Sequence, residues 1–137
     1  MTDQNPSIIS HVSLGTNDLE RALAFYDTVL STLAIKRIET LDGIGAAYGK
    51  QSPEFWIALP VNEAPATTGN GVHIGFIADS REAVHAFHKA ALNAGASDEG
   101  APGPRPHYGE PYYGCFVIDP DGHKIEATFW DETKESA

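Results

Sequence analysis

Three side chains of types that bind metal ions, His11, His73 and Glu126, are predicted to lie on one face of a β-structure. Successive side chains of a strand point to opposite sides, so the apolar residues beside the histidines should lie under helices and the histidines should face away. The same alternation places Glu126 opposite its apolar neighbours. Two imidazoles and a carboxylate on one surface form a donor set for a divalent ion. Taken singly, each has a simpler interpretation as a hydrogen-bonded strand histidine or a solvated charge.

These side chains belong to an internal repeat. Shifted by 62 residues, segment 10–34 aligns with segment 72–96 without a gap. Six aligned positions are identical: His11 and His73, Glu20 and Glu82, Ala24 and Ala86, Phe25 and Phe87, Leu30 and Leu92, Ala34 and Ala96. Two copies are too few for a solenoid, so the sequence predicts two modules, at about 7–65 and 70–130, within one domain spanning 1–137. Residues 131–137 are predicted to be a C-terminal tail.

Each module is predicted to be a β-α-β-β-β unit in an α+β fold. Alternating apolar segments at 8–14 and 72–78 precede residues with helical spacing. Val12, Leu14, Val72, Ile74 and Phe76 are predicted to pack under the helices. Further strands are predicted at 35–39, 45–48, 55–59, 112–118 and 124–130, with a tight turn at 119–122.

Polar residues mark the predicted helix ends. The first helix should begin at Asn17 or Asp18, because Asn17 and Glu20 have capping-box spacing. The second should begin near Asp79, and Gly95 should follow its last turn.

Composition excludes several classes of function. The 137 residues are 42% hydrophobic, which suits one compact domain, and the formal net charge is −10. Nucleic acids and anionic membrane surfaces are therefore poor partners. A single cysteine, Cys115, allows no intrachain disulfide and is interpreted as a small buried hydrophobe. The polar segment 1–7 and the lack of a long apolar run predict neither export nor anchoring, so we expect a cytoplasmic protein.

The sequence resembles the vicinal oxygen chelate superfamily, which includes glyoxalase I, bleomycin resistance proteins and extradiol dioxygenases. The likeness covers residues 7–130 through SHVSLGTNDLERALAFYDTVL, GVHIGFIADSREAVHAFHKAALNAGA and YYGCFVIDPDGHKIEATFW. The overall likeness, with the PRPHYGEPYYG segment included, is greatest to uncharacterised glyoxalase-like proteins. The resemblance implies a cup-shaped mixed sheet with helices on its convex face. It also implies one divalent ion, Zn, Ni, Mn, Fe or Co, held by His11, His73 and Glu126.

The sequence departs from the enzymes it resembles. Overlaying the modules places Ala58 where glyoxalase I carries a carboxylate ligand, and alanine cannot bind a metal. Extradiol dioxygenases usually have a tyrosine ten residues before the glutamate ligand, where this chain has Phe116, with Tyr112 and Tyr113 close by. Fosfomycin-resistance thiol transferases need a basic cluster, for which the second module's loop offers only Arg105.

The segment 100–114, with four prolines and four glycines, is predicted to be a long binding loop. His107 is predicted to reach the open metal face as a fourth ligand or a general acid–base. Arg105, Tyr108 and Tyr113 are predicted to contact substrate, and Trp56 to line the pocket. The alternatives are a solvated His107 and a core Trp56. Solvent exposure is expected to account for His85, His88 and His123.

The leading hypothesis is a metal-dependent glyoxalase-like lyase or isomerase that acts on a small oxygen-chelating substrate through an enediolate or similar oxyanion. Glu126 would be a ligand first and a base second, with His107 as the other catalytic candidate. The alternatives are an Fe(II) extradiol-type dioxygenase, a thiol transferase, and a non-catalytic small-molecule binding or resistance protein. A homodimer is expected, with the modules paired within one chain or exchanged between two.

Overall fold

The computed structural model describes residues 6–133, so part of segment 1–7 and residues 134–137 of the predicted tail lie outside it. Within that range the chain forms eight strands, two α-helices and a short 3-10 helix at Pro106–Tyr108. The first module contains β1 (Val12–Gly15), α1 (Leu19–Ser31), β2 (Lys36–Leu41), β3 (Gly45–Gly49) and β4 (Phe55–Ala58). The second contains β5 (His73–Ile77), α2 (Arg81–Asn93), β6 (Ser97–Pro104), β7 (Tyr112–Ile118) and β8 (Lys124–Trp130).

The strands form two four-stranded sheets with the same topology. Their orders are β1-β4-β3-β2 and β5-β8-β7-β6. In each sheet the first and last strands of the module pair in parallel, and the remaining pairs are antiparallel. The α+β fold of two tandem β-α-β-β-β modules is therefore confirmed. The predicted mixed sheet is divided into one sheet for each module. Strands β1 and β5 lie at the edges of these sheets, and each has a described strand partner on one side only.

The N-cap of α1 is the second of its two predicted positions, and the N-cap of α2 lies one residue after Asp79. Asp18, and not Asn17, caps α1 by accepting a hydrogen bond from the Arg21 backbone N–H. Asn17 is used elsewhere, because its side-chain amide exchanges two hydrogen bonds with the backbone of Ala66. Ser80 caps α2 in the same way as Asp18 caps α1. Gly95, with φ +109°, follows the end of α2 as predicted.

The prediction of a continuous loop over 100–114 is wrong at both ends, and residues 112–114 belong to the predicted strand β7. Residues Ser97–Pro104 form strand β6, which pairs with β7 through two register shifts. Proline has no backbone N–H to donate, and it is tolerated in β6 because β6 lies at the edge of its sheet. Its glycines and prolines are typical of loops, so the sequence did not predict a strand here.

One apolar core joins both modules. The two helices contact each other, and the rings of Phe55 and Phe76 meet edge to face with centroids 5.1 Å apart. The predicted packing of Val12, Leu14, Ile74 and Phe76 against the core is confirmed. Val72 is the exception, since it precedes β5 and stays 52% exposed. No helix within residues 6–133 is long and apolar enough to cross a membrane.

The turn between β7 and β8 fixes the second module against the first. Buried Asp119 accepts a hydrogen bond from the Tyr26 hydroxyl, and Asp121 accepts one from the Thr16 hydroxyl at 2.6 Å. His123 donates to the carbonyl oxygen of Gly15 at 2.6 Å. His123 is only 6% exposed, so the expectation that it is solvated was wrong. These contacts set the position of β8, which carries Glu126.

Candidate functional site

His73 and Glu126 come together on the side of the second sheet that faces away from α2. His73 begins β5, Glu126 lies in the middle of β8, and the two strands are parallel neighbours. The His73 Nε2 atom lies 3.2 Å from Glu126 Oε1. Gly75 is paired directly with Glu126, and a Cβ atom there would lie only 3.2 Å from Oε1. The glycine therefore leaves room for the carboxylate beside the imidazole.

The other oxygen of the Glu126 carboxylate is held by Tyr112. The phenol hydroxyl donates to Oε2 at 2.5 Å, and burial followed by this hydrogen bond raises the Tyr112 pKa well above its ordinary value. The phenol passes over Gly114, where a Cβ atom would lie 2.3 Å from the hydroxyl oxygen. Tyr112 thus remains a proton donor that fixes the carboxylate with Oε1 towards His73.

The separation of the two donor atoms fits a shared metal ion. Two atoms that bind one ion at about 2.1 Å and at right angles lie about 3 Å apart. The distance of 3.2 Å between His73 Nε2 and Glu126 Oε1 agrees with this value. His73 is partly exposed and Glu126 is mostly buried, so the pair has one open side. These two residues can supply adjacent positions in a coordination sphere.

His11 lies apart from this pair. It precedes β1, is exposed, and has its Nδ1 atom 3.0 Å from the Ser10 hydroxyl. It lines a cavity of about 410 Å³ with Trp56, whereas His73 lines a cavity of about 700 Å³, and Ser13 borders both. Among residues 6–133 no three His, Cys, Asp or Glu side chains cluster closely enough to hold one metal. The structure thus brings together two of the three predicted ligands within one chain.

Comparisons with known proteins identify the family. Residues 8–127 match the model of the Glyoxalase/Bleomycin resistance protein/Dioxygenase superfamily. The chain belongs to this superfamily. A glyoxalase/bleomycin resistance protein from Albidiferax ferrireducens T118 is 40% identical, with a TM-score of 0.80 over 89% of this chain and 98% of its own. A comparison with curated proteins finds none that matches.

Two further structures are similar in fold. A lactoylglutathione lyase from Agrobacterium tumefaciens is 21% identical, with a TM-score of 0.61 over 91% of this chain and 95% of its own. The fosfomycin resistance protein FosX from Listeria monocytogenes is 18% identical, with a TM-score of 0.62 over 90% of each chain. At these identities the likeness concerns the fold alone.

In this member of the glyoxalase superfamily, the strand register corrects the choice of the first-module residue that corresponds to Glu126. Gly75, two residues after His73, pairs with Glu126, and Ser13, two residues after His11, pairs with Trp56. The counterpart of Glu126 is therefore Trp56, so the sequence-based choice of Ala58 was wrong by two residues. The first module places an indole where the second places its carboxylate.

The other predicted site residues fall into two groups. The His107 and Tyr108 rings contact each other at a tilt of 52° with centroids 4.2 Å apart, and Tyr108 meets Tyr112 edge to face at 4.9 Å. These contacts link the 3-10 helix to the tyrosine that binds Glu126. Tyr113 instead lies on the helix side of the sheet, where its hydroxyl is 2.6 Å from His85 Nε2. The structure therefore does not bring Tyr113 to the His73–Glu126 pair.

Sequence reasoning did not assign several of the residues around the pair to the site. The register of the β7–β8 hairpin places Tyr112, Gly114 and Phe116 on the same face as Glu126. Counting back from the Asp-Pro-Asp-Gly turn would have found them. Thr128 also lies on this face, and its buried hydroxyl has no hydrogen-bond partner among the described residues.

Cys115 lies on the opposite face, where its thiol donates to the Val84 carbonyl. Burial raises its pKa to about 12, which makes it a poor nucleophile.

Replacing Tyr112 with phenylalanine is expected to lower the free energy of unfolding by about 1–3 kcal/mol, because a buried carboxylate oxygen loses its donor. Chemical denaturation of the metal-free protein would measure this change. Tyr108→Phe is the matched control, since Tyr108 is 48% exposed and its described side-chain contacts are between rings. Equal stability of both variants would contradict a stabilising role for the Tyr112 hydroxyl.

Proposed function

We propose that the chain is a divalent-metal-dependent enzyme of the glyoxalase-like branch. Its substrate would be a small molecule that chelates the ion through adjacent oxygens, and the reaction would be a proton transfer of the lyase or isomerase type. The observation that carries this proposal is the 3.2 Å approach of His73 Nε2 and Glu126 Oε1 on an open face. A nitrogen and an oxygen donor at this separation suit Zn, Ni, Mn, Fe or Co.

His73, Glu126 and His11 would hold the ion, which when bound would supply Lewis-acid polarisation of the chelating oxygens. Tyr112 would keep Glu126 oriented, as hydrogen-bonded partners of metal-binding carboxylates do. His107 is the proposed acid–base, because its ring contacts continue through Tyr108 to Tyr112. Arg105, Tyr108 and Trp56 are the proposed substrate contacts.

The third ligand would come from a second copy of the chain in a cytoplasmic homodimer. His11 and His73 lie in separate cavities, and exposed apolar side chains flank both of them. Ile8 and Ile9, before His11, are 94% and 61% exposed, and Val72 and Ile77, around His73, are 52% and 70% exposed. Apolar surface of this kind marks an interaction site. Facing modules from two copies would cover it and join His11 to the pair.

Elemental analysis of untagged protein purified without chelators tests the proposal. We expect about one equivalent of metal per chain, as for one catalytic ion held by three protein ligands. Metal-loaded protein should then exchange a substrate C–H proton with deuterated water when screened with 2-hydroxy and 2-oxo compounds. Protein that binds none of the five ions after reconstitution would refute the proposal.

The same preparation separates the competing functions. Consumption of oxygen with a panel of catechols would identify a dioxygenase, although Phe116 occupies the position paired with Glu126 and offers no hydroxyl. Ligand affinity unchanged by chelators, without turnover, would identify a binding protein. Either result would replace the proposed lyase or isomerase chemistry.

A further inference from the structure

Two cations border the His73–Glu126 pair through a shared aromatic ring. Phe116 is the cross-strand partner of Glu126. The Arg105 guanidinium carbon lies 5.7 Å from the centre of the Phe116 ring, and Lys124 Nζ lies 5.0 Å from it. The His73 ring meets the same ring with centroids 6.0 Å apart. One ring is thus surrounded by an arginine, a lysine and a candidate metal ligand.

Arg105 is held in place without a carboxylate. Its guanidinium donates to the backbone carbonyls of Gly103 and Ala101 at 3.0 and 2.9 Å. Gly100 leaves space for it, because a Cβ atom there would lie 3.0 Å from Arg105 Nη2 and 3.2 Å from Phe116. The carbonyl hydrogen bonds order the guanidinium but do not neutralise its charge.

Lys124 likewise forms no ion pair with a carboxylate within residues 6–133. Arg21, Arg37 and Lys50 form ion pairs with aspartates, whereas no ion pair joins Lys124 or Arg105 to a carboxylate in the described part of the chain. In a protein with a formal net charge of −10, these two cations place positive charge beside the Glu126 carboxylate and the open site. Lys124 also lines the 700 Å³ cavity together with His73.

We propose that Arg105 and Lys124 form an anion subsite that selects small organic anions as substrates. The carboxylate, phosphonate or phosphate of the substrate would lie against these two cations beside the Phe116 ring. Two adjacent oxygens of the same molecule would then meet His73 and Glu126. The assignment deepens the proposed function. Only the approach of the two oxygens to His73 and Glu126 rests on that function, and the binding of the anion does not. Charge-assisted hydrogen bonds from arginine and lysine to such anions are roughly twice as strong as hydrogen bonds between neutral groups.

The subsite is tested in chelator-treated protein, where no metal contributes. Sodium phosphate and sodium glycolate are titrated separately at low ionic strength, and amide chemical shifts are followed by NMR. We expect saturable shifts centred on the backbone amides of Gly100, Gly103 and Lys124, weakening as salt is added. Shifts with phosphate alone or glycolate alone would identify a phosphoryl or a carboxylate subsite.

Substitutions establish which charges act. Arg105→Gln with Lys124→Gln should weaken binding of the effective probe by at least about tenfold, since two charge-assisted contacts are lost. Lys36→Gln with Lys89→Gln removes the same charge from exposed lysines elsewhere and should change the affinity less than twofold. Lys124→Gln alone should weaken binding measurably and leaves the carbonyl contacts of Arg105 intact.

Two results would overturn the subsite: no saturable shifts around Phe116 with either anion, or equal affinity of the Arg105/Lys124 variant and the control. These results are independent of the proposed enzyme. A protein that binds phosphate here but no divalent metal would retain the subsite and lose the proposed function. A protein that binds metal but neither anion would retain the proposed function and lose the subsite.

Discussion

Replacement of His73 with alanine is expected to reduce metal affinity by at least about 100-fold, more than the loss of a partner that only orients a ligand. His73 Nε2 is one of two donor atoms that the fold already holds 3.2 Å apart. Its removal leaves Glu126 with no imidazole beside it among the described residues of its own chain. Competition with a chelating dye would measure the affinity for Zn²⁺ or Mn²⁺, and elemental analysis would check the protein as purified.

Glu126→Gln and His85→Ala complete this test. The glutamine keeps the shape of the side chain and an oxygen that can accept from Tyr112, but it removes the charge that attracts the ion, so a comparable loss is expected. His85 lies on the helix side of the second module and binds Tyr113, so His85→Ala should retain the metal. Retention of metal by both His73→Ala and Glu126→Gln would show that the ion binds elsewhere.

The sequence predicted the parts of the fold that have strong local patterns. Strands β7 and β8 have the predicted bounds because their apolar and aromatic runs flank an unmistakable turn, in which Gly122 has φ +100°. Strand β6 was missed because its pairing depends on β7 and not on its own residues. Its glycines leave space for Arg105, and its prolines are compatible with an edge position.

The alternation of side chains along a strand predicted only the part of the candidate site that depends on which face each residue occupies. Alternation placed His73 and Glu126 on one face, and the structure brings them together, while their role as metal ligands stays a prediction. Tyr112 required the register of a hairpin, and Trp56 required the register of a parallel pair. A parallel register depends on long-range contacts that the local sequence does not determine, which is why Ala58 was chosen wrongly.

Mixed dimers are expected to recover metal binding from two inactive variants. If facing modules of two copies form each site, a dimer of one His11→Ala chain and one His73→Ala chain contains one damaged and one intact site. The intact site combines His11 from one chain with His73 and Glu126 from the other. Random assortment of equal amounts should restore about a quarter of the wild-type metal content, because half of the dimers are mixed and each has one intact site.

A mixture of His73→Ala and Glu126→Gln is the control for this recovery. Both substitutions lie in the second module, so every mixed dimer has one defect in each site and no metal should return. Co-expression with two affinity tags would isolate the mixed dimers, and elemental analysis would give their metal content. No recovery in the His11→Ala and His73→Ala mixture, despite isolation of the mixed dimer, would contradict a shared site.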